Sequence, residues 1–208
     1  MTSHINVIYQ NNATVALLRD QDASHAIVAS SEALRCLRRC ASTLHDVPAN
    51  KSCTDSLLDQ CMARSVTDQS QAESGKPFIF DRGIQIPLTT TDTAAISAIL
   101  IFNSALSHQL WAAQNPADAP GYLTKARQLY ELAYRMDDVE HNVMFQIAIM
   151  NNMVVIERSF GNNAESERDF GHLLSMWMLL LDLGYGSRIH SMRGFLVNGR
   201  WSENAAVA

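Results

Sequence analysis

The stretch Ala148-Ile149-Met150-Asn151-Asn152-Met153-Val154-Val155-Ile156-Glu157-Arg158-Ser159-Phe160-Gly161-Asn162 decides how the chain is read. Its apolar residues recur at helical spacing and it contains no Pro, so it predicts a helix over about 143–160 that stops at Gly161-Asn162-Asn163. A second amphipathic run fills about 165–183. Two such runs across a tight turn make a helical hairpin. At its centre stands Asn151-Asn152, although Asn is a poor residue for a helix interior.

Working outward, the same pattern occurs twice more. Asn11-Asn12-Ala13-Thr14-Val15 lies in a run over about 5–19, followed by Asp20-Gln21-Asp22 and a second run over 23–40. Phe102-Asn103-Ser104-Ala105-Leu106 lies in a run over about 93–113, followed by a loop at 114–121 and a run over 122–136. Within the first unit Thr14, Ala26, Ser30 and Ala33 are separated by 12, 4 and 3 residues. Val154, Ser166, Phe170 and Leu173 repeat those offsets, and Ala126, Tyr130 and Ala133 repeat the last two. Antiparallel helices approach closely only where side chains are small, which gives the spacing a packing reason.

This predicts an all-α chain of about three helical pairs with a C-terminal capping segment. The divisions are a first hairpin at 1–40, a polar insertion at 41–92, second and third hairpins at 93–186, and a cap and tail at 187–208. Within the insertion, 41–76 is rich in Ser, Thr, Asp and Gln, with a helical turn or two near Leu57-Leu58 to Met62. Residues 77–88, Pro-Phe-Ile-Phe-Asp-Arg-Gly-Ile-Gln-Ile-Pro-Leu, alternate and carry a Pro at each flank, so they read as an extended segment. No second strand signal is present to pair with it. Such a segment is either a connector packed on the edge of the helices, the plainer reading, or an internal ligand that masks apolar surface.

Composition agrees with helices. The 208 residues are 47% hydrophobic and 18% charged, with only 9 Gly and 5 Pro. The hairpins imply that the apolar residues are concentrated in stacked pairs rather than in one globular core. A net charge of −5 and the absence of a basic stripe argue against nucleic acid as a partner. The first twenty residues lack a secretory pattern, and the apolar run at 173–181 is too short to span a bilayer, so the expectation is a cytoplasmic protein without a membrane segment. Cys36, Cys40, Cys53 and Cys61 fit no zinc spacing and read as free thiols.

The units resemble tetratricopeptide repeats, helical hairpins with a period of about 34 residues. The resemblance is carried by 11–19 with Ala26, Ser30 and Ala33, by 123–133, and most closely by 148–162, which is similar to the kinesin-light-chain-like branch. The sequence departs from that pattern in three ways. The early aromatic of the first helix is not clear, the Leu-Gly pair is replaced by Ala13-Thr14, Ser104-Ala105 and Met153-Val154, and the closing Pro is missing. The resemblance implies a concave groove that binds a peptide or protein segment, and a scaffold without catalysis or cofactor.

The groove candidates are Asn12, Asn103 and Asn152, with Asn11 and Asn151 beside two of them. An amide side chain donates and accepts at once, which suits a peptide backbone. Val15, Leu106 and Val155 lie one turn on as apolar neighbours, and Gln109 and Arg158 lie further along. The partner expected is a protein or peptide, with self-association as a further option. The competing reading is a structural subunit of a larger assembly whose groove is already filled by the chain itself. An enzyme or metal protein is the weakest reading, because the seven His are scattered and no nucleophile or phosphate-binding motif is present.

Overall fold

The computed structural model describes residues 2–41, 58, 61–62, 79–136, 142–182 and 184. These residues contain six helices and no strand: α1 (Thr2–Arg19), α2 (Ala23–Ala41), α3 (Thr93–Gln114), α4 (Ala119–Tyr134), α5 (Val143–Ser159) and α6 (Asn163–Asp182). The fold of the described chain is all-α. The capping segment expected within 187–208 and most of the insertion at 42–78 lie outside the described residues.

Local chemistry sets the helix ends. The Asp92 carboxylate accepts the Ala95 N–H at 3.0 Å to open α3, and the Asn142 side chain accepts the Phe145 N–H at 2.8 Å to open α5. Helix α4 begins at Ala119, three residues before the expected Tyr122, with Pro120 in its first turn. A missing N–H costs nothing there, so the proline starts the helix instead of delaying it.

The first and third hairpins share one turn. Gln21 has φ 59° and Gly161 has φ 76°. Each follows its central Asn, Asn12 or Asn152, by nine residues. The Asp22 N–H donates to the Leu17 carbonyl and the Asn162 N–H to the Glu157 carbonyl, both at 2.9 Å. That left-handed residue and backward bond satisfy the last carbonyls of α1 and α5 in the same way.

The helices pack as the pairs α1–α2, α3–α4 and α5–α6, and neighbouring pairs meet through α2–α3, α1–α3 and α4–α5. Thr14, Ala26, Ser30, Ala33, Ala105, Ala126, Ala133, Val154 and Ser166 are all buried. Across the third pair the Ser166 hydroxyl donates to the Val154 carbonyl at 3.4 Å, joining the two positions twelve residues apart. Ser30 bonds Ser104 at 3.4 Å between the first and second pairs.

Most of the buried apolar side chains of the described residues form one contiguous cluster, which corrects the expectation of separate stacked pairs. The reason lies in the insertion. Phe80, Ile84 and Ile86 from the extended segment, and Leu58, Cys61 and Met62 from upstream of it, are buried in the same cluster as the helices. Phe102 of α3 sits in its middle, with ring centroids 5.9 Å from Phe80, 5.5 Å from Tyr130 and 5.4 Å from Phe145. Helix α3 has the length and apolar composition of a bilayer span, yet 72% of its most apolar window is buried inside the fold. It is the central core helix of the described chain.

Candidate functional site: an asparagine row on an extended segment

Burying an extended segment without a strand partner creates a physical problem. Its N–H and C=O groups lose water, at about 1–3 kcal/mol for each group left unsatisfied. Phe80, Ile84 and Ile86 together expose six such groups to the interior. Leaving all of them unpaired would cost about as much as the whole stability of a typical domain, about 5–15 kcal/mol.

The asparagines solve it. Asn152 on α5 accepts the Phe80 N–H at 2.7 Å and donates to the Phe80 carbonyl at 3.1 Å. Asn103 on α3 accepts the Ile84 N–H and donates to the Ile84 carbonyl, both at 2.8 Å. Asn12 on α1 accepts the Ile86 N–H at 3.0 Å and donates to the Ile86 carbonyl at 2.9 Å. One amide from the first helix of each hairpin therefore holds both polar groups of one residue, as a neighbouring strand would.

The flanking asparagines orient the row. Asn11 donates to the Asn12 side-chain oxygen at 3.2 Å and to the Ile84 carbonyl at 3.0 Å, and accepts from Asn103 at 2.8 Å. Asn151 donates to the Asn152 side-chain oxygen at 3.1 Å. Every member except half-buried Asn12 is buried. A close backbone approach accompanies the bonds: a Cβ added to Gly83 would lie 3.0 Å from Val15 Cγ2 and 3.1 Å from Leu18 Cδ1. Both neighbours are buried, so a side chain at Gly83 would have to push them aside by a few tenths of an ångström.

The remaining candidates divide. Val15 meets the segment at Gly83, while Leu106 and Val155 are buried. Gln109 is buried beneath the row, accepting the Tyr130 hydroxyl at 2.9 Å and approaching the Asn152 carbonyl at 3.4 Å with its amide. Arg158 turns toward α6, where it donates to the Ser166 hydroxyl at 2.9 Å and sits 6.0 Å from the Phe170 ring centroid. Tyr130 is the residue that sequence reasoning missed. Its hydroxyl accepts from Asn152 at 2.9 Å, and burial pushes the phenol far up, so it stays protonated as a donor to Gln109. The available signal was a bulky polar residue at a position where the other pairs put Ser30 or Phe170.

The electrostatics of the row are neutral. Nearby, burial raises Asp81, opposed by the charge of Arg82. His108 is pushed below its ordinary value first by burial and then by Lys125. Arg158 is lowered by burial, opposed by Glu167. Among the described residues no group of three His, Cys, Asp or Glu is gathered to hold a metal. Amides neither titrate nor attack, so the arrangement binds backbone and does little else chemically. In comparisons with known proteins, the chain matches no protein-family profile, no curated protein and no solved structure.

Proposed function

We propose that the chain is a protein-interaction module of tetratricopeptide-like helical hairpins without catalysis, whose asparagine row is engaged by its own segment 79–86. It works as a docking subunit of a larger protein assembly. The observation that carries the reading is the set of three two-point clamps on Phe80, Ile84 and Ile86. Two further features support it. The clamps read main chain only, which is how a peptide-binding groove gains affinity without sequence demands. The side chains of the clamped residues Phe80, Ile84 and Ile86 lie in the core, so the internal segment is a built part of the molecule.

The test is a calorimetric titration of the intact chain with a synthetic peptide of the 77–88 sequence, alongside affinity purification from cells. A self-engaged row gives no saturable heat with the peptide, while the chain purifies with stoichiometric protein partners. Saturable peptide binding that is lost in Asn103→Ala would assign the row to an external peptide instead. Purification without any protein partner would reject the docking role.

A further inference from the structure

Helix α1 and helix α6, the first and last of the described helices, each turn an uncharged apolar stripe to solvent. On α1 it runs Ile5, Tyr9, Ala13 and Ala16, all exposed, with Tyr9 at 58%. On α6 it runs Gly171, Leu174, Met178 and Leu181, also exposed, with Met178 at 58%. Neither 5–18 nor 170–181 contains an Asp, Glu, Lys or Arg.

The stripes match when laid antiparallel. Ile5 falls opposite Leu181, Tyr9 opposite Met178, Ala13 opposite Leu174 and Ala16 opposite Gly171, with position sums of 186 or 187 throughout. Continuing one step brings Arg19 opposite Glu167, the next residue along each stripe. Both are exposed, and Glu167 also acts on the charge of Arg158 in its own chain. The pairing therefore joins apolar to apolar, a Met sulfur to a Tyr ring, and a cation to an anion. The two small ends, Ala16 and Gly171, allow close approach there.

We propose that α6 of one copy of this chain docks antiparallel on α1 of a second copy, a head-to-tail contact between two different faces. A heterologous contact of this kind leaves one free α1 and one free α6 at the ends, so it extends into rings or filaments rather than stopping at a dimer. The proposal stands on exposed faces outside the asparagine row and does not depend on how that row is used.

The experiment is sedimentation velocity and light scattering on the purified full chain over a range of concentrations. The wild type grows in mass with concentration in steps of the 23.1 kDa chain. Tyr9→Glu and Met178→Glu each bury a lone carboxylate at the contact and weaken growth about tenfold or more, leaving monomers. Both positions are exposed, so folding is checked by circular dichroism and Leu174→Gln serves as a second α6 variant. Mixed in equal amounts, the Tyr9→Glu and Met178→Glu chains form a heterodimer that grows no further, since each retains one intact face. Arg19→Glu weakens growth and Glu167→Arg restores it in the double variant. A wild type that stays monomeric at every concentration would overturn the proposal. Self-association of Tyr9→Glu alone would overturn it too, by showing that α6 pairs with itself.

Discussion

Asn103 holds Ile84 by both of its main-chain polar groups, taking its N–H and giving to its carbonyl at the same distance of 2.8 Å. The relation is that of a strand neighbour supplied by a helix side chain. It lets a helical chain bury an extended segment without building a sheet. The Ile84 carbonyl takes a second bond from Asn11 at 3.0 Å, and Asn11 in turn accepts from Asn103. The α1 and α3 hairpins are thus fastened to each other through the segment as well as through their own packing.

Replacing Asn103 by Ala strips the Ile84 N–H of its acceptor and the Asn11 oxygen of its donor, all in the dry interior. The expected loss is about 3 kcal/mol in urea unfolding, since each orphaned group costs about 1–3 kcal/mol. Asn12→Ala is expected to cost nearer 1 kcal/mol, because half-buried Asn12 leaves room for water at Ile86. Equal losses for the two variants would show that the clamps contribute through packing and not through their bonds.

The shared turn supplies a second case. Gln21 sits at φ 59° where the equivalent residue of the third hairpin is Gly161. A side chain in the left-handed region costs about 1 kcal/mol, partly returned by its lower entropy in the unfolded chain. Gln21→Gly is expected to stabilise by a few tenths to about 1 kcal/mol and Gly161→Ala to destabilise by about 1 kcal/mol. Thermal melts of both variants check the pair. A destabilised Gln21→Gly would mean that the Gln21 side chain makes up for its strain elsewhere.

Much of this arrangement was legible from residues alone. Helical period placed all six helix starts within three residues, three of them at the observed residue, and α4 differs by the reach of its first-turn proline. The recurrence of Asn at matching places marked the row, because Asn in a helix interior needs a partner. Pattern also marked 77–88 as extended. It could not join these two readings: a side chain that binds backbone leaves no pairing signal in the sequence of the segment it holds. The plainer reading of the segment as an edge connector gives way to a central one for that reason. Tyr130 was hidden similarly, since a spacing rule built on small residues treats a buried Tyr as an exception and says nothing of its hydroxyl.

His108 supplies a pH dependence whose sign follows from its burial. Its folded-state value lies below the ordinary 6.5, first through burial and second through Lys125. Its Nδ1 is buried without a hydrogen-bond partner, which gives the charged form no compensation. The unfolded chain therefore takes up the proton first as pH falls through 6.5, and the fold loses stability on acidification toward the lower folded value. Wild type is expected to lose stability as pH falls below 6.5, and His108→Gln to lose less. Urea unfolding of both at a series of pH values measures the difference. A His108→Gln variant with the same slope as wild type would place the dependence on other groups.

Tyr130 and Asn152 test whether the row depends on the layer beneath it. The Tyr130 hydroxyl accepts from Asn152 at 2.9 Å and donates to Gln109 at 2.9 Å, so it sits between the clamp on Phe80 and the amide below. Tyr130→Phe keeps the ring against Phe102 and removes only this oxygen. Asn152 retains its bonds to Phe80, while Gln109 loses its donor, and the expected cost is about 1–2 kcal/mol. If the hydroxyl acts by orienting the Asn152 amide, the Tyr130→Phe and Asn152→Ala losses are not additive. A double-mutant cycle is then expected to return a coupling of about 1 kcal/mol. Additivity within about 0.3 kcal/mol would reduce Tyr130 to a core ring that happens to lie beside the row.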